Sequence, residues 1–164
     1  MRYVMRKQLF AIGDDYWIED EGGQRVLKVD GKLLRLRKTF VLEDANGTEL
    51  ATIEKKLVAL RDTMRIERGG QTIAKVRKAL FAPFRQRFNV EANGSEDLVI
   101  QGNITDHEYE VRRGDAPVAE ISKRWFSFRD TYAVDVTPGE DVGLIVALTV
   151  AVDWMGHEEH DDDG

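Results

Sequence analysis

The residues able to do chemistry are few. His107, His157 and His160 are the only imidazoles, and cysteine is absent. Thiol nucleophiles, disulfides and thiolate zinc sites are thereby excluded. The sequence has no Gly-x-Ser-x-Gly elbow, no glycine-rich phosphate loop ahead of Lys-Ser/Thr and no His-Glu-x-x-His pair. His107 sits in the run Asp106-His107-Glu108-Tyr109-Glu110. That run has the residue types for a metal or for acid–base work, but it reads more simply as a solvated strand end. The C-terminal His157, Glu158, His160 and Asp161–Asp163 could hold a divalent ion weakly. A water-solvated tail is the simpler reading. No catalytic residue, metal site or cofactor is assigned, and an enzyme is not expected.

Basic residues are the better lead. Lys55, Lys56, Arg61, Lys75, Arg77, Lys78, Lys123, Arg124 and Arg129, with Arg85 and Arg87 beside them, fall in a few short stretches. Lysine meets phosphate as a point charge and arginine as a bidentate fork. If these stretches converge, they suit an anionic membrane surface or a phosphoinositide-like head group. The competing reading is that they are solvent-facing strand residues that keep the protein soluble and block edge pairing. Nucleic acid is not expected. Phe81, Phe84, Phe88, Trp125, Phe126 and Phe128 lie among the cations but read as core, and the formal net charge is −6.

That charge is unevenly distributed. Residues 54–88 carry ten basic residues against Glu54, Asp62 and Glu67, while residues 25–38 carry six against Asp30. From Asp135 onward there are nine acidic residues and no Lys or Arg, and five of the nine follow His157. Such an end cannot bury enough apolar surface to fold alone.

The elements that must position these residues are strands. Period-2 alternation recurs between turn signals. Residues 39–43 and 49–54 flank Asn46-Gly47, and Met64 and Ile66 precede Gly69-Gly70 and then 72–77. Phe88 and Val90, Tyr109 and Val111, and Tyr132, Val134 and Val136 alternate with polar neighbours. Adding 3–10, 16–20, 25–29, 98–102 and 118–122 gives twelve strand candidates, each with one apolar face, as in antiparallel sheet. Four stretches align: 34–42, 58–66, 82–90 and 126–134. They place Arg37, Arg61, Arg85 and Arg129 in one column, and Arg-Asp-Thr recurs at 61–63 and 129–131. The column spacings are 24, 24 and 44, which suits a repeated two-strand hairpin with one extra hairpin in the long gap.

One helix is expected, over about 140–155. Pro138, Glu140 and Asp141 mark its start, and residues 142–152 are apolar around the whole circumference. It is too short to span a bilayer, so it should lie inside a wrapped sheet. Asp153 closes this apolar run, and a buried carboxylate there needs a partner. An Arg or solvent at the barrel mouth is the expectation.

Five stretches carry a resemblance: MRYVMRKQLF at 1–10, VDGKLL at 29–34, QGNITDHEYEVRR at 101–113, SKRWFSFRDTYAVDV at 122–136 and GEDVGLIVALTVAVD at 139–153. Together with the order of elements, they resemble the LURP-one-related (LOR) family of the tubby C-terminal-like superfamily over residues 1 to about 157. The resemblance implies a mainly β fold: a closed twelve-stranded antiparallel β-barrel around a central hydrophobic C-terminal helix. The superfamily includes phosphoinositide-binding tubby-like proteins and phospholipid scramblases. The tubby phosphoinositide motif has no residue-by-residue match here, so no site residue is carried over.

The expected organisation is one barrel domain over 1–156 and an acidic disordered tail over 157–164. The expected function is a non-enzymatic binding or scaffold module, monomeric and cytoplasmic, peripheral to a membrane through anionic phospholipid. The alternative is a protein–protein interaction or structural domain without a small-molecule ligand.

Overall fold

The computed structural model describes residues 1–7, 15–31, 39–58, 61–79, 86–124, 126 and 131–162, with the backbone alone for 57, 58, 61, 62 and 157–162. Twelve strands precede one helix. They are β1 (Arg2–Lys7), β2 (Tyr16–Glu19), β3 (Arg25–Gly31), β4 (Thr39–Asp44), β5 (Glu49–Val58), β6 (Arg61–Arg68), β7 (Gln71–Lys78), β8 (Gln86–Ala92), β9 (Leu98–Asn103), β10 (Glu108–Arg113), β11 (Ala116–Ser122) and β12 (Thr131–Val136), followed by α1 (Val142–Asp162). Each strand pairs antiparallel with its sequence neighbours, and β1 closes the sheet on β12. Closure removes both sheet edges.

The 24-residue repeat is the hairpin of this barrel. Tyr16, Phe40, Met64, Phe88, Tyr109 and Tyr132 occupy equivalent inward positions on the six even-numbered strands, and all are buried. The first four stand 24 residues apart. The repeat therefore includes β2 and β10, which the arginine column misses because Gly13 and Asp106 stand in the arginine position. The hairpin Leu98–Arg113 does fill the long gap. Turn chemistry repeats as well. Asp20 accepts from the amides of Gly22 and Gln24, and Asp44 accepts in the same way from Asn46 and Thr48.

Register sets the width of the lumen. Crossing any one odd-numbered strand moves the pairing by two residues: Tyr16 meets Val29 and then Leu42, and Met64 meets Val76 and then Val90. Six such steps around twelve strands imply a tilt of about 36° and a backbone radius of about 11 Å. Small eight-stranded barrels fill themselves with their own side chains, but this one is too wide to do so. The space left fits one helix, whose diameter with side chains is about 10–12 Å.

Helix α1 supplies that filling. Ile145, Val146, Ala147, Leu148, Thr149, Val150, Ala151, Val152 and Asp153 are all buried, so every side of the helix faces the wall. Its start is capped by Asp141, whose Oδ1 accepts from the Leu144 amide at 3.0 Å. The helix enters at the end of the barrel that carries the tight turns after the even-numbered strands. It leaves at the other end, where the connections into those strands lie. Its backbone stays helical to Asp162, through most of the segment read as an acidic tail. A nucleated helix extends at small cost. Among the described residues, no helix is long and apolar enough to cross a membrane.

Gly102 marks the tightest approach in the wall. It lies in β9 opposite Tyr109 with φ 146°, and a Cβ there would come within 2.6 Å of the Glu108 carbonyl oxygen and 2.7 Å of Tyr109 Cα. Only glycine meets both conditions. Gly102→Ala is therefore expected to lower stability by at least about 2 kcal/mol in urea unfolding. A change below half that would show that the wall can give. Removing α1 should do far more. Ile145, Val146, Leu148, Val150 and Val152 contribute roughly 10 kcal/mol of burial together, comparable with the whole net stability of a domain. A chain ending at Asp141 is expected to show no cooperative melt by circular dichroism, whereas a soluble, sharply melting truncation would contradict the plugged barrel.

Candidate functional site: the basic outer face and the barrel mouths

The described basic candidates divide by strand parity and by position around the barrel. On β5, Ala51 and Ile53 point inward, and Lys55 continues that alternation at the connection end. Its Nζ lies 4.9 Å from the Trp154 ring, a cation–π contact with the helix. On β7, Ala74 and Val76 point inward, and Lys78 follows them opposite Phe88. Lys55 and Lys78 therefore belong to the inner rim.

Lys56, Lys75 and Arg77 point outward. Two cross-strand rows hold them: Glu54, Arg65, Lys75 and Glu91 in one, and Lys56, Thr63, Arg77 and Asn89 in the other. Lys56 pairs with Glu54 at 3.1 Å, Arg65 with Glu67 at 2.6 Å and Arg77 with Glu91 at 3.4 Å. Lys75 and Arg87 carry no ion pair among the described residues. These partly exposed pairs hold side chains in place but stabilise little, about 0–1 kcal/mol each.

Lys123 and Arg124 follow β11, which is six strands from β5 in either direction and so on the opposite wall. Arg124 reaches Glu120 at 3.2 Å. The structure thus brings Lys56, Lys75 and Arg77 together, adds Arg65 and Arg87, and leaves Lys123 and Arg124 apart. The side chain of Arg61, and Arg85 and Arg129 altogether, lie outside the described residues.

The expectation for His107 is corrected. It is 6% exposed, not solvated, because the β9–β10 turn folds over the end of the lumen. Its Nδ1 stands 3.4 Å from Asp153 Oδ1, and its ring stacks on Tyr132 with centroids 4.3 Å apart. Tyr16 donates its hydroxyl proton to Asp153 Oδ2 at 2.6 Å. Tyr16 and His107 are thus two of the groups that meet Asp153. Burial pushes the nearby Tyr109 phenol well up, and the negative charge of Asp153 adds to this. The signal in the sequence was the pair Thr149 and Asp153, four residues apart and so on one helix face. These are the two polar side chains of an otherwise apolar run.

At the turn end, two arginines fasten the start of the helix. Arg68 grips Asp141 through both guanidinium nitrogens, at 2.8 and 3.2 Å, and Arg113 grips Glu140 at 2.7 and 3.0 Å. A groove of about 790 Å³ crosses the outside of β8–β11, lined by Gln101, Asn103, Glu108, Glu110 and Glu120 among others. Glu108 is already engaged by the Ser122 hydroxyl and the Lys123 amide. Among the described residues, no group of three His, Asp or Glu side chains is placed to hold a metal ion.

This arrangement can be set beside known proteins. The family model described as LURP-one-related matches residues 1–153. The chain belongs to the LURP-one-related family. Its similarity to the uncharacterised protein YxjI of Bacillus subtilis (strain 168) is 27% identity over 159 residues, covering 96% of this chain and 95% of that protein. A barrel of the same form is seen in an X-ray structure of an Arabidopsis thaliana protein. The TM-score is 0.67 at 20% identity, over 94% of this chain and 91% of that one, a likeness of fold.

The helix clamps generate a pH dependence. The Arg113 hydrogen bond holds the Glu140 carboxyl below its ordinary value, and Arg68 does the same for Asp141. Both acids are stronger in the folded chain than in the unfolded one. Their contribution is therefore present above the ordinary carboxylate range and is lost as pH falls through the depressed values. Exposure limits each pair to within about 1 kcal/mol. The Tm of the wild type is expected to fall more between neutral pH and about pH 3 than that of an E140Q/D141N variant. Parallel curves in scanning fluorimetry would show that the clamps add nothing.

Proposed function

We propose that this LURP-one-related barrel is a non-enzymatic binding module that recognises its partner on its outer surface. The observation that carries this reading is the filled lumen. With residues Ile145–Asp153 of α1 buried on every side, the helix occupies the lumen where a ligand would otherwise sit. Recognition then falls to the wall, and the β5–β8 face is its most basic described part. Five cations stand there (Lys56, Arg65, Lys75, Arg77 and Arg87) against Glu54, Glu67 and Glu91, and among the described residues Lys75 and Arg87 carry no ion pair.

An anionic phospholipid surface is the partner this face suits best. Each cation held near such a surface contributes on the order of 1 kcal/mol, enough for reversible, salt-sensitive recruitment of a peripheral cytoplasmic monomer. Lys123 and Arg124 follow β11, three strands from β8 and six from β5, and do not share this face. A second reading is a protein-interaction or structural domain. It is favoured by the carboxylates already paired with Lys56, Arg77 and Arg124, which make the wall charge-alternating in the way many protein surfaces are.

Vesicle flotation separates the two. The chain is expected to float with phosphatidylcholine vesicles containing phosphatidylserine or a phosphoinositide and not with phosphatidylcholine alone, and to be released at high salt. A K75A/R87A variant should bind about 30-fold more weakly, since two such cations contribute roughly 2 kcal/mol. Equal recovery with neutral and anionic vesicles, or none with either, would leave the protein-interaction reading.

A further inference from the structure

The lumen ends in a ring of lysines. On each odd-numbered strand, the inward place at the connection end stands opposite the large inward residue of the next even-numbered strand. Lys7 meets Tyr16, Gly31 meets Phe40, Lys55 meets Met64, Lys78 meets Phe88 and Gly102 meets Tyr109. Lys123, one residue past β11, falls at the sixth such place, in line with Tyr132, because Ser122 pairs with Ala133. The hairpin repeat thus puts lysine at this place on β1, β5, β7 and the end of β11, and glycine on β3 and β9. In a closed ring of twelve strands, β1 faces β7 and β5 faces β11. The four lysines therefore form two opposed pairs around the mouth, and all four are half-buried.

A lysine that serves solubility alone belongs on the outer face of a strand. These four follow buried inward pairs: Tyr3 and Met5, Ala51 and Ile53, Ala74 and Val76, Ala119 and Ile121. What they encircle is α1. Lys55 Nζ lies 4.9 Å from the Trp154 ring, which fixes the level of the ring of lysines on the helix. Residues 157–162 follow as about 9 Å of further helix. This stretch carries Glu158, Glu159, Asp161 and Asp162, and no Lys or Arg. A helix C-terminus already bears partial negative charge, so acids there oppose helix formation, and like charges a turn apart add to the cost. The backbone nevertheless remains helical to Asp162. The wall supplies cations at the level where the helix has none.

We propose that Lys7, Lys55, Lys78 and Lys123 form an anion-binding collar, and that its resident ligand is the acidic end of α1 in the same chain. Lysine suits this role, as a point charge on a flexible stem that meets carboxylates without a fixed geometry. The collar adjoins the basic outer face, since Lys55 and Lys78 stand next to Lys56 and Arg77 in the chain. Where the anionic-surface reading above holds, on which this second part rests, the acidic end is a built-in competitor that keeps lipid phosphates out of the collar.

The sign of a salt effect tests the collar on the wild-type chain. Raising salt from about 0.1 to 1 M shortens the screening length from roughly 10 to 3 Å. Without a collar, salt relieves repulsion among the acids and slows amide exchange at residues 157–162. With one, salt weakens the attraction, and exchange there should rise about threefold or more, while residues 146–152 stay unchanged. Unchanged or slower exchange overturns the collar. An E158Q/E159Q/D161N/D162N variant leaves the core untouched and should lose this response; a response that persists overturns the collar as well. The same variant should bind phosphatidylcholine vesicles containing phosphatidylserine about tenfold more tightly than the wild type. Equal binding by the two chains overturns the competition. So does an equal gain when the tail changes are made in a K7Q/K55Q/K78Q/K123Q chain, since net charge alone would then account for it. Binding by neither chain overturns the anionic-surface reading and the competition together, and the salt response still decides the collar.

Discussion

The structure depends on a mismatch of width. A barrel of twelve strands with this stagger encloses more space than its own inward side chains can fill, and an empty apolar lumen would forgo the contacts that make burial favourable. One helix of ordinary diameter closes the gap. That requirement explains why the helix is apolar around most of its circumference and why the inward side of each strand is apolar. It also explains why the largest inward residues recur on each even-numbered strand. The same hairpin solves the same packing problem six times.

A plug that fits on all sides has no preferred rotation or depth from hydrophobic contact alone, since such contact is non-directional. Polar groups at the two ends supply direction. At the turn end, Arg68 and Arg113 hold Asp141 and Glu140 at the first turn of the helix. At the connection end, Asp153 is held by Tyr16 and His107, and Gly156 admits Ile104. Between them the contacts are apolar. Filling the lumen also pushes function to the exterior, where carboxylates and cations alternate along the cross-strand rows and the β5–β8 face keeps an excess of cations.

The strands, the hairpin repeat and the buried helix were legible in the sequence because each rests on local periodicity. Met64 and Ile66 alternate with arginine and glutamate whatever lies across the lumen, and residues 142–152 are apolar whichever wall they meet. The family relation was legible for the same reason, carried by contiguous stretches. The extension of the repeat to β2 and β10 was not, because the arginine column that revealed the other four stretches is missing there, while the inward Tyr16 and Tyr109 that preserve it look like ordinary strand residues.

The candidate site was legible only as a set of charges. Lys55 and Lys56 are neighbours in the chain, yet one meets a helix tryptophan inside the rim and the other a glutamate outside. Lys123 and Arg124 precede a stretch that repeats the pattern of 58–66 but stand six strands from β5, because closure of the sheet sets distance around the barrel and similarity between hairpins does not. His107 reads as solvated from its acidic neighbours, and it is buried because its turn folds over the end of a helix that arrives almost fifty residues later. Composition and periodicity determined what each segment had to bury. Only the closed sheet decided which side chains shared a face or a rim, because those distances depend on register and closure and not on position along the chain.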